Sequence, residues 1–346
     1  MNERKWELDV IRAIACFFVV VAHVASYGME IKDPVTADWI IRNGVLCLVK
    51  CSVPIFFMLS GILFMEKDIT IKVLYKKYIA RIVVAWAVWS AFYAAVDQVA
   101  YMKSGGSGLQ YFAVRFVAGH YHMWFLPAIL IVYIFLPVLQ KLVTSCSAYQ
   151  MKYLGIVLMV GVIGKETFDP FVHSEIWDRL WENFSLPFAS VGIVYFVLGY
   201  YLYKNCRCFS AKTSLFIYMV CCLLMAGANM AYAFATGQHT SAASQNLSLG
   251  MCIASAMFFA FLIQVLSKHT FSERWKVWFK RISDCSLGIY LLHTLFIEQV
   301  YRRIGLSQDN YPVVFSIILF SAVTFVISFL AAWCIRKIPI MGKWIA

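Results

Sequence analysis

The chain has 346 residues and is far more apolar than a water-soluble protein. Aliphatic, aromatic, methionine and cysteine residues make up 62% of it, charged residues make up 14%, and the mean hydropathy is +0.74. Soluble domains carry about 25% charged residues. These values exclude disordered, fibrous and ordinary cytosolic proteins and leave an integral membrane protein.

The net charge is +12, from 30 Lys and Arg residues against 18 Asp and Glu residues. The basic residues lie between apolar runs, where they set membrane topology, so we expect no nucleic-acid partner. Most of the 11 cysteines fall inside apolar runs, where cysteine behaves as a small hydrophobe. Cys206 and Cys208 flank Arg207 in a short loop, without a second pair to complete a zinc site. We expect neither a structural disulfide nor a metal site.

Apolar runs separated by charged residues, glycine and proline predict an all-α polytopic bundle of about ten transmembrane helices, since each span needs about 20 residues. The first run carries Asp9 and Arg12 and lacks a small-residue cleavage site, so it is predicted to be a retained helix and not a signal peptide. The predicted spans cover residues 8–28, 43–64, 79–101, 124–143, 150–164, 184–204, 212–236, 248–267, 283–303 and 312–335.

Most Lys and Arg residues fall on the side of the predicted bundle that holds both termini. The positive-inside rule therefore places both termini in the cytoplasm. The sequence shows no repeat and no low-complexity linker. Residues 1–346 are expected to form a single integral-membrane domain with no appended soluble domain.

The first span contains two polar residues, Arg12 and His23, that are costly to place in a bilayer. Their separation places them about 20° past three full helical turns and about 16 Å apart along the axis. They therefore share one face, with Arg12 near the cytoplasmic end and His23 toward the outer mouth. A snorkelling arginine and a hydrogen-bonded bundle histidine are the alternative interpretation.

The second span contains Lys50 and Ser52, followed by Pro54 and Ser60. A lysine about two turns inside the outer end, followed by a mid-helix proline, is typical of a locally broken helix that lines a cavity. An ordinary proline kink beside a snorkelling lysine would give the same pattern.

A short basic cluster precedes the third span on the cytoplasmic side and consists of Lys72, Lys76, Lys77 and Arg81. Such clusters commonly follow the positive-inside rule or contact anionic membrane lipid. Ammonium and guanidinium groups also bind phosphates, so a site for an anionic cofactor is the alternative.

The fourth span opens with His120, His122 and Trp124 and continues through Tyr133. Histidine and tryptophan at an outer interface are typical of an aromatic belt. Two imidazoles at this depth could also bind substrate or relay protons.

The ninth span contains Ser286, Tyr290 and His293, followed by Glu298. His293 falls near the middle of the membrane, where an imidazole without a partner is unfavourable. Tyr290 lies about one turn away, so a simple His–Tyr packing pair is one interpretation. A cavity wall or a proton path is the other.

Four of these groups, in the same order, resemble the signatures of the membrane acyltransferase family 3. Arg12 and His23 resemble the first-helix signature, and the segments 52–64, 122–133 and 286–293 resemble the later ones. The resemblance runs over essentially the whole chain. It is nearest to the surface-polysaccharide O-acetyltransferase subgroup, such as the enzyme acting on enterobacterial common antigen.

The resemblance implies a multi-pass enzyme of the bacterial plasma (inner) membrane that takes an acyl group, usually acetyl, from cytoplasmic acetyl-CoA. It implies as acceptor a hydroxyl of a cell-surface polysaccharide or an undecaprenyl-linked glycan. By position, His23 is the catalytic histidine and Arg12 its motif partner. The family's cytoplasmic arginine pair is only partly present, because Tyr78 stands at the first position and Arg81 at the second. The resemblance therefore implies that Lys76 and Lys77 act with Arg81 in binding CoA.

In this scheme the imidazole of His23 either removes a proton from the sugar hydroxyl or carries the acyl group itself. Oxyanion donors come from Lys50, from Tyr290 or from backbone amides freed near Pro54. Substrate and cavity positions are predicted at Lys50, Ser60, His122, Trp124, Tyr133, Tyr290 and His293.

His122, Trp124 and the acidic outer loop 165–183 are expected to face the acceptor, since aromatic faces and carboxylates suit sugar rings and hydroxyls. The chief alternative is a secondary transporter or a flippase for a lipid-linked sugar, which would also bury Arg, Lys and His near a broken helix. The lack of similarity between the two halves of the sequence and the unbroken first span favour the enzyme. A receptor or assembly subunit would leave the polar stripe of span one unexplained.

Overall fold

The computed structural model describes residues 4–103, 108–170, 172, 174–178, 190–205, 209–339 and 342–346. Over these ranges the chain is helical and contains no β-strand, so the predicted all-α class is confirmed. In the first half of the chain the helices named below are α1 Trp6–Ser26, α2 Ala37–Val49, α3 Ser52–Phe64, α4 Ala80–Lys103, α5 Leu109–Ala118, α6 Phe125–Ser145 and α7 Ala148–Leu158. In the second half they are α8 Val191–Asn205, α9 Ala211–Thr236, α10 Leu249–Leu266, α11 Glu273–Asp284, α12 Ser286–Leu295, α13 Val313–Arg336 and α14 Gly342–Ile345. Short α-helical segments cover Ile71–Val73, Lys165–Phe168 and Tyr301–Arg303.

Within the described ranges, seven helical segments are long and apolar enough to cross a membrane, which confirms a polytopic membrane protein. The other three predicted spans also fall on helices: α7, α8 and α12. Residues 179–189, at the start of the sixth predicted span, and residues 206–208, with both loop cysteines, lie outside the described residues. The seven segments cover Trp6–Ile31, Ala37–Phe64, Ile71–Val99, Tyr121–Ser145, Ala211–Thr236, Ala242–Leu266 and Val313–Arg336.

The second predicted span consists of two helices that meet at Lys50 and Cys51. The predicted helix break is therefore confirmed. Pro54 lies in the first turn of α3 and not in the middle of a helix as predicted. Proline has no N–H to donate to the carbonyl four residues earlier, which is that of Lys50, so Pro54 accounts for a break one turn before it.

The helices α3 and α8 approach so closely that only glycine fits at two positions of their interface. A Cβ atom at Gly61 would lie 1.9 Å from the carbonyl oxygen of Phe196, and one at Gly199 would lie 2.2 Å from the Cα atom of Met58. Small residues permit such approaches between membrane helices. This contact fixes α3 and, with it, the junction at Lys50.

The helix α1 lies at the centre of the bundle, packed against α2, α3, α11, α12 and α13. Its fully buried side chains include those of Ile11, Val20 and Val24. Because protein surrounds α1 on several sides, its polar residues face other helices rather than lipid tails.

One end of the bundle holds Arg4 and Ala346, and we call it the terminal end; the opposite end is the far end. Arg4 forms ion pairs with Asp9 of α1 at 2.6 Å and with Asp284 of α11 at 3.0 Å. The hydrogen bond to Asp9 raises the pKa of Arg4. Trp89 Nε1 of α4 donates to the carbonyl of Ile345 at 2.8 Å, so α14 is held inside this end of the bundle.

Candidate active site

Four histidines from three distant segments of the sequence lie together near the far end, and we call them the histidine cluster. His23 comes from α1, His120 and His122 from the turn before α6, and His293 from α12. The ring centroids of His23 and His293 are 4.5 Å apart, and those of His122 and His293 are 5.4 Å apart. The centroids of His120 and His122 are 4.9 Å apart. The structure thus joins the polar groups of predicted spans one, four and nine.

The imidazole of His23, on the last turn of α1, is held in one tautomer. Its Nδ1 atom lies 2.9 Å from the carbonyl oxygen of Val19. Because a carbonyl oxygen can only accept, Nδ1 carries the proton and donates it, and Nε2 keeps a lone pair. His23 can therefore act through Nε2 as a base or as a nucleophile.

The imidazole of His293 is fully buried and has the same tautomer, since its Nδ1 donates to the carbonyl of Ile289 at 3.3 Å. Its Nε2 atom has no hydrogen-bond partner among the residues described. An unsatisfied buried acceptor costs about 1–3 kcal/mol. The ring of His293 lies closer to that of His23 than to that of Tyr290, which is 6.1 Å away. Its principal ring neighbour is therefore His23.

The other two histidines lead toward a carboxylate. The Nδ1 atoms of His120 and His122 are 2.7 Å apart, so one donates to the other. Nε2 of His120 lies 3.4 Å from Oε2 of Glu298, and the hydroxyl of Tyr121 donates to Oε1 of Glu298 at 2.7 Å. The side chain of Glu298 is 21% exposed. A series of polar groups thus runs from the buried His122 to the protein surface.

Tyr93 and Thr294 complete the wall around His122. The hydroxyl of Tyr93 donates to the carbonyl of Leu291 at 2.6 Å and lies 2.9 Å from Oγ1 of Thr294, which in turn lies 3.3 Å from Nδ1 of His122. Neither Tyr93 nor Thr294 stands out in the sequence, because both residue types are common in apolar helices. Glu298 does stand out as a carboxylate in an apolar run, although the sequence gives it no role.

A cavity of about 190 Å³ lies beside His23. A smaller cavity of about 100 Å³, lined by Ser286 and Tyr290 among others, shares Val19 and Val53 with it. The two are therefore neighbours along α1. The polar lining of the larger cavity consists of His23, Ser26, Lys50, Ser52, Trp124 and Asn246.

The ammonium group of Lys50 faces this cavity from the α2–α3 junction. Nζ donates to Oγ of Ser244 at 3.4 Å, the one hydrogen bond that it makes within the described part of the chain. Because an ammonium group has three donors, the remaining two are available to a molecule in the cavity. Trp124 is 40% exposed and adds an aromatic ring to the same wall.

Three predicted cavity residues have other main contacts. The hydroxyl of Tyr290 donates to the carbonyl of His122 and so fixes the turn before α6. Oγ of Ser60 donates to the carbonyl of Phe56 at 2.9 Å, and the ring of Tyr133 packs 5.0 Å from that of Phe64. Among the predicted cavity residues, four do not line either cavity: Ser60, His122, Tyr133 and His293.

Arg12 lies nearer the terminal end than the histidine cluster. Its Nη1 atom donates to Oγ of Ser283 on α11 at 3.2 Å. Arg12 is half-buried and contacts Ser283 rather than His23. The two polar residues of α1 therefore belong to different parts of the site, although they lie on one helix.

The residues predicted to bind CoA fall into two groups. Lys76 and Lys77 are exposed on the π-helical turn Leu74–Ile79 that precedes α4. Arg81 is half-buried, and its Nη2 atom donates to the carbonyl oxygen of Ala346 at 3.3 Å. Nη1 of Arg336 donates to the same oxygen at 2.8 Å. Arg81 and Arg336 thus form an arginine pair that is not visible in the sequence, where 255 positions separate them.

The acidic outer loop is partly engaged in its own contacts. Asp169 pairs with Lys165 at 2.7 Å and accepts a hydrogen bond from Trp177 Nε1 at 2.9 Å. The hydrogen bond from Lys165 lowers the pKa of Asp169. Glu182, another acidic residue of this loop, lies outside the described residues.

The described cysteines are free, and no group of three or more His, Cys, Asp or Glu side chains in the described ranges is arranged to hold a metal ion.

An all-α bundle with several apolar helices long enough to span a membrane defines the class of this protein as an integral membrane protein. The acyltransferase 3 family model, described as an acyltransferase domain, matches residues 5–334. The chain belongs to the acyltransferase 3 family and is a multi-pass membrane acyltransferase. Comparisons with curated proteins and with solved structures gave no significant match.

Proposed function

We propose that this protein transfers an acyl group, acetyl in the first instance, from cytoplasmic acyl-CoA to a hydroxyl of a surface polysaccharide or an undecaprenyl-linked glycan. The observation that carries the proposal is the lone pair on Nε2 of His23, at the wall of a cavity that also receives the ammonium group of Lys50. The protein acts as a single domain in the bacterial plasma membrane, with the terminal end in the cytoplasm.

The donor enters at the terminal end. The phosphates of acyl-CoA cannot cross lipid, so the nucleotide part stays at this end while the flexible pantetheine arm extends into the bundle. Arg81 and Arg336 both donate to the backbone oxygen of Ala346, and two guanidinium groups suit a phosphate that takes the place of this oxygen. The exposed Lys76 and Lys77 add positive charge at the entrance. Arg12 lies on α1 between this entrance and His23.

The acceptor enters the larger cavity from the far end. Trp124 offers an aromatic face to a sugar ring, and Ser26 and Asn246 offer hydrogen bonds to its hydroxyls. Carbohydrate hydroxyls are neutral at physiological pH, so a base or a preformed acyl intermediate is needed for transfer.

His23 performs the transfer through Nε2, either by accepting the hydroxyl proton or by carrying the acyl group. Both routes pass through a tetrahedral intermediate whose oxygen is negatively charged. Lys50 supplies the donor for that oxygen, because its ammonium group has two free N–H bonds in the cavity.

The proposal is tested by incubating the purified protein with labelled acetyl-CoA and the glycan fraction of the membrane. His23→Ala is expected to lower acetyl transfer by roughly 10²–10⁴-fold, the usual contribution of a catalytic base. His269→Ala is the matched control, since His269 is exposed. Acetyl transfer by the His23→Ala protein at the wild-type rate contradicts the proposal. If the protein moves sugar-lipids across the membrane but does not turn over acetyl-CoA, it is a transporter and not an acyltransferase of this kind.

A further inference from the structure

We infer that His293 is the base that accepts the proton of the acceptor hydroxyl, while His23 carries the acyl group. This inference rests on the proposed function and divides its chemistry between two imidazoles. One imidazole cannot perform both tasks, because Nε2 of His23 is bonded to the acyl carbon while the acceptor attacks and has no lone pair for a proton.

The geometry favours His293 as the second base. Its ring is the neighbour of the His23 ring, at a centroid distance of 4.5 Å and an interplanar angle of 73°. Its Nδ1–H is held by the carbonyl of Ile289, just as that of His23 is held by Val19, so both rings keep the lone pair on Nε2. Nε2 of His293 is fully buried and has no partner in the described part of the chain. His293 lines neither cavity, whereas its ring neighbour His23 lines the larger one. The incoming hydroxyl supplies the hydrogen-bond donor that Nε2 of His293 lacks.

The neighbouring histidines are less suited to this task. Nδ1 of His122 is bonded to His120, and both ring nitrogens of His122 lie within 3.4 Å of Oγ1 of Thr294. Nε2 of His120 faces Glu298 at 3.4 Å. His293 is therefore the cluster member beside His23 whose second nitrogen is unoccupied by protein.

The reaction balances in two half-reactions. In the first, the lone pair on Nε2 of His23 attacks the thioester carbonyl carbon, the C–S bond breaks, and CoA leaves as the thiolate. In the second, the hydroxyl oxygen bonds to the acyl carbon and its proton passes to Nε2 of His293. The bond between the acyl carbon and His23 then breaks, and its electron pair returns to Nε2. The thiolate takes up one proton from water and His293 later releases one, so the products are the ester and CoA thiol.

The proton leaves His293 toward the surface through the remaining cluster. The His122 ring lies 5.4 Å from the His293 ring, centroid to centroid, and His122 is hydrogen-bonded to His120 at 2.7 Å. His120 faces the carboxylate of Glu298, which is partly exposed. Imidazoles can accept a proton on one nitrogen and release one from the other, so this series of groups can pass a proton outward.

The test uses membrane vesicles that contain the full-length protein and the cell's own glycans, supplied with radiolabelled acetyl-CoA. In His293→Gln, labelling of the glycans is expected to fall by roughly 100-fold or more. The label should instead accumulate on the protein and be released by hydroxylamine, which attacks an acyl-imidazole without help from a base. A purely structural role for His293 does not produce this accumulation. The exposed His269 provides the control His269→Gln.

Two outcomes overturn the inference: glycan labelling by His293→Gln at the wild-type rate, or the absence of label on this variant. His23→Ala separates the two proposals, because wild-type glycan labelling by that variant removes the proposed function itself. If His293→Gln does not elute as the wild-type protein does in size-exclusion chromatography, it is misfolded, and the variant Glu298→Gln tests the inference in its place. That variant should acquire protein label and then label glycans several-fold more slowly, and an unchanged glycan-labelling rate contradicts the inference.

Discussion

The chemistry of the histidine cluster depends on which nitrogen of each ring carries the proton. In His23 and His293 the choice is made locally, because each Nδ1 donates to the carbonyl four residues earlier on its own helix. No additional carboxylate is needed to set these tautomers. The two Nε2 atoms are left with their lone pairs, that of His293 fully buried and that of His23 at the wall of the larger cavity.

Replacing Lys50 tests whether its ammonium group acts in the catalytic step. Lys50→Met keeps the length of the side chain and removes the ammonium group that stabilises the oxyanion. We expect kcat to fall by about 10²–10³-fold, the usual effect of losing one oxyanion donor. Steady-state kinetics with acetyl-CoA measures this fall, and Lys268→Met serves as control because Lys268 is exposed. Unchanged kcat in Lys50→Met would remove Lys50 from the mechanism.

The arginine pair makes a separate prediction about the donor. Arg81→Ala and Arg336→Ala should each weaken CoA binding about tenfold or more, since each removes a charge-assisted hydrogen bond. Isothermal titration with CoA measures the affinity. Lys76→Ala and Lys77→Ala should have smaller effects that shrink as salt is added, because these side chains are exposed. If, at high salt, the two lysine variants lose more CoA affinity than the two arginine variants, the arginine pair is not the donor site.

At the scale of elements, the site depends on two interruptions of helical order. The chain breaks between α2 and α3, which brings Lys50 to the cavity, and it breaks again at Cys285, between α11 and α12. The close contact of α3 with α8 holds the first break in place. Stability and site geometry are therefore coupled through Gly61 and Gly199.

Gly61→Ala tests this coupling. The added Cβ atom would overlap the carbonyl oxygen of Phe196, so the helices must separate, and we expect a loss of about 1–3 kcal/mol in stability together with lower activity. The midpoint of thermal unfolding in detergent reports the first effect. Gly227→Ala is the matched control, because a Cβ atom there meets nothing within 4 Å. Equal midpoints for the two variants would show that the α3–α8 contact tolerates a methyl group.

Much of this arrangement could be predicted from the sequence. Long apolar runs predicted the helices, and Arg12, Lys50, His23 and His293 stood out because polar groups are costly in a bilayer. Lys50 and His23 do meet at one cavity.

The partners of these residues could not be predicted, because packing decides them. Arg336 lies at the end of the last long helix, where a basic residue normally indicates only membrane topology. In the structure it donates to the same backbone oxygen of Ala346 as Arg81 does. The contact between Glu298 and His120 joins residues 178 positions apart.

At the scale of the whole molecule, the arginine pair and the histidine cluster lie toward opposite ends of the bundle. The helix α1 has 21 residues, so it is about 31 Å long and matches the hydrocarbon thickness of a bilayer. Arg12 and His23 divide this helix between the two ends. This layout supports the proposal that the donor enters from one side of the membrane and the acceptor from the other.

The central claim, transfer across the membrane through His23, is tested most directly in sealed right-side-out vesicles loaded with labelled acetyl-CoA. We predict that the wild-type protein places label on glycans at the outer surface, and that His23→Ala places none there. Outer labelling that persists in His23→Ala, or that requires acetyl-CoA outside the vesicles, would contradict the account.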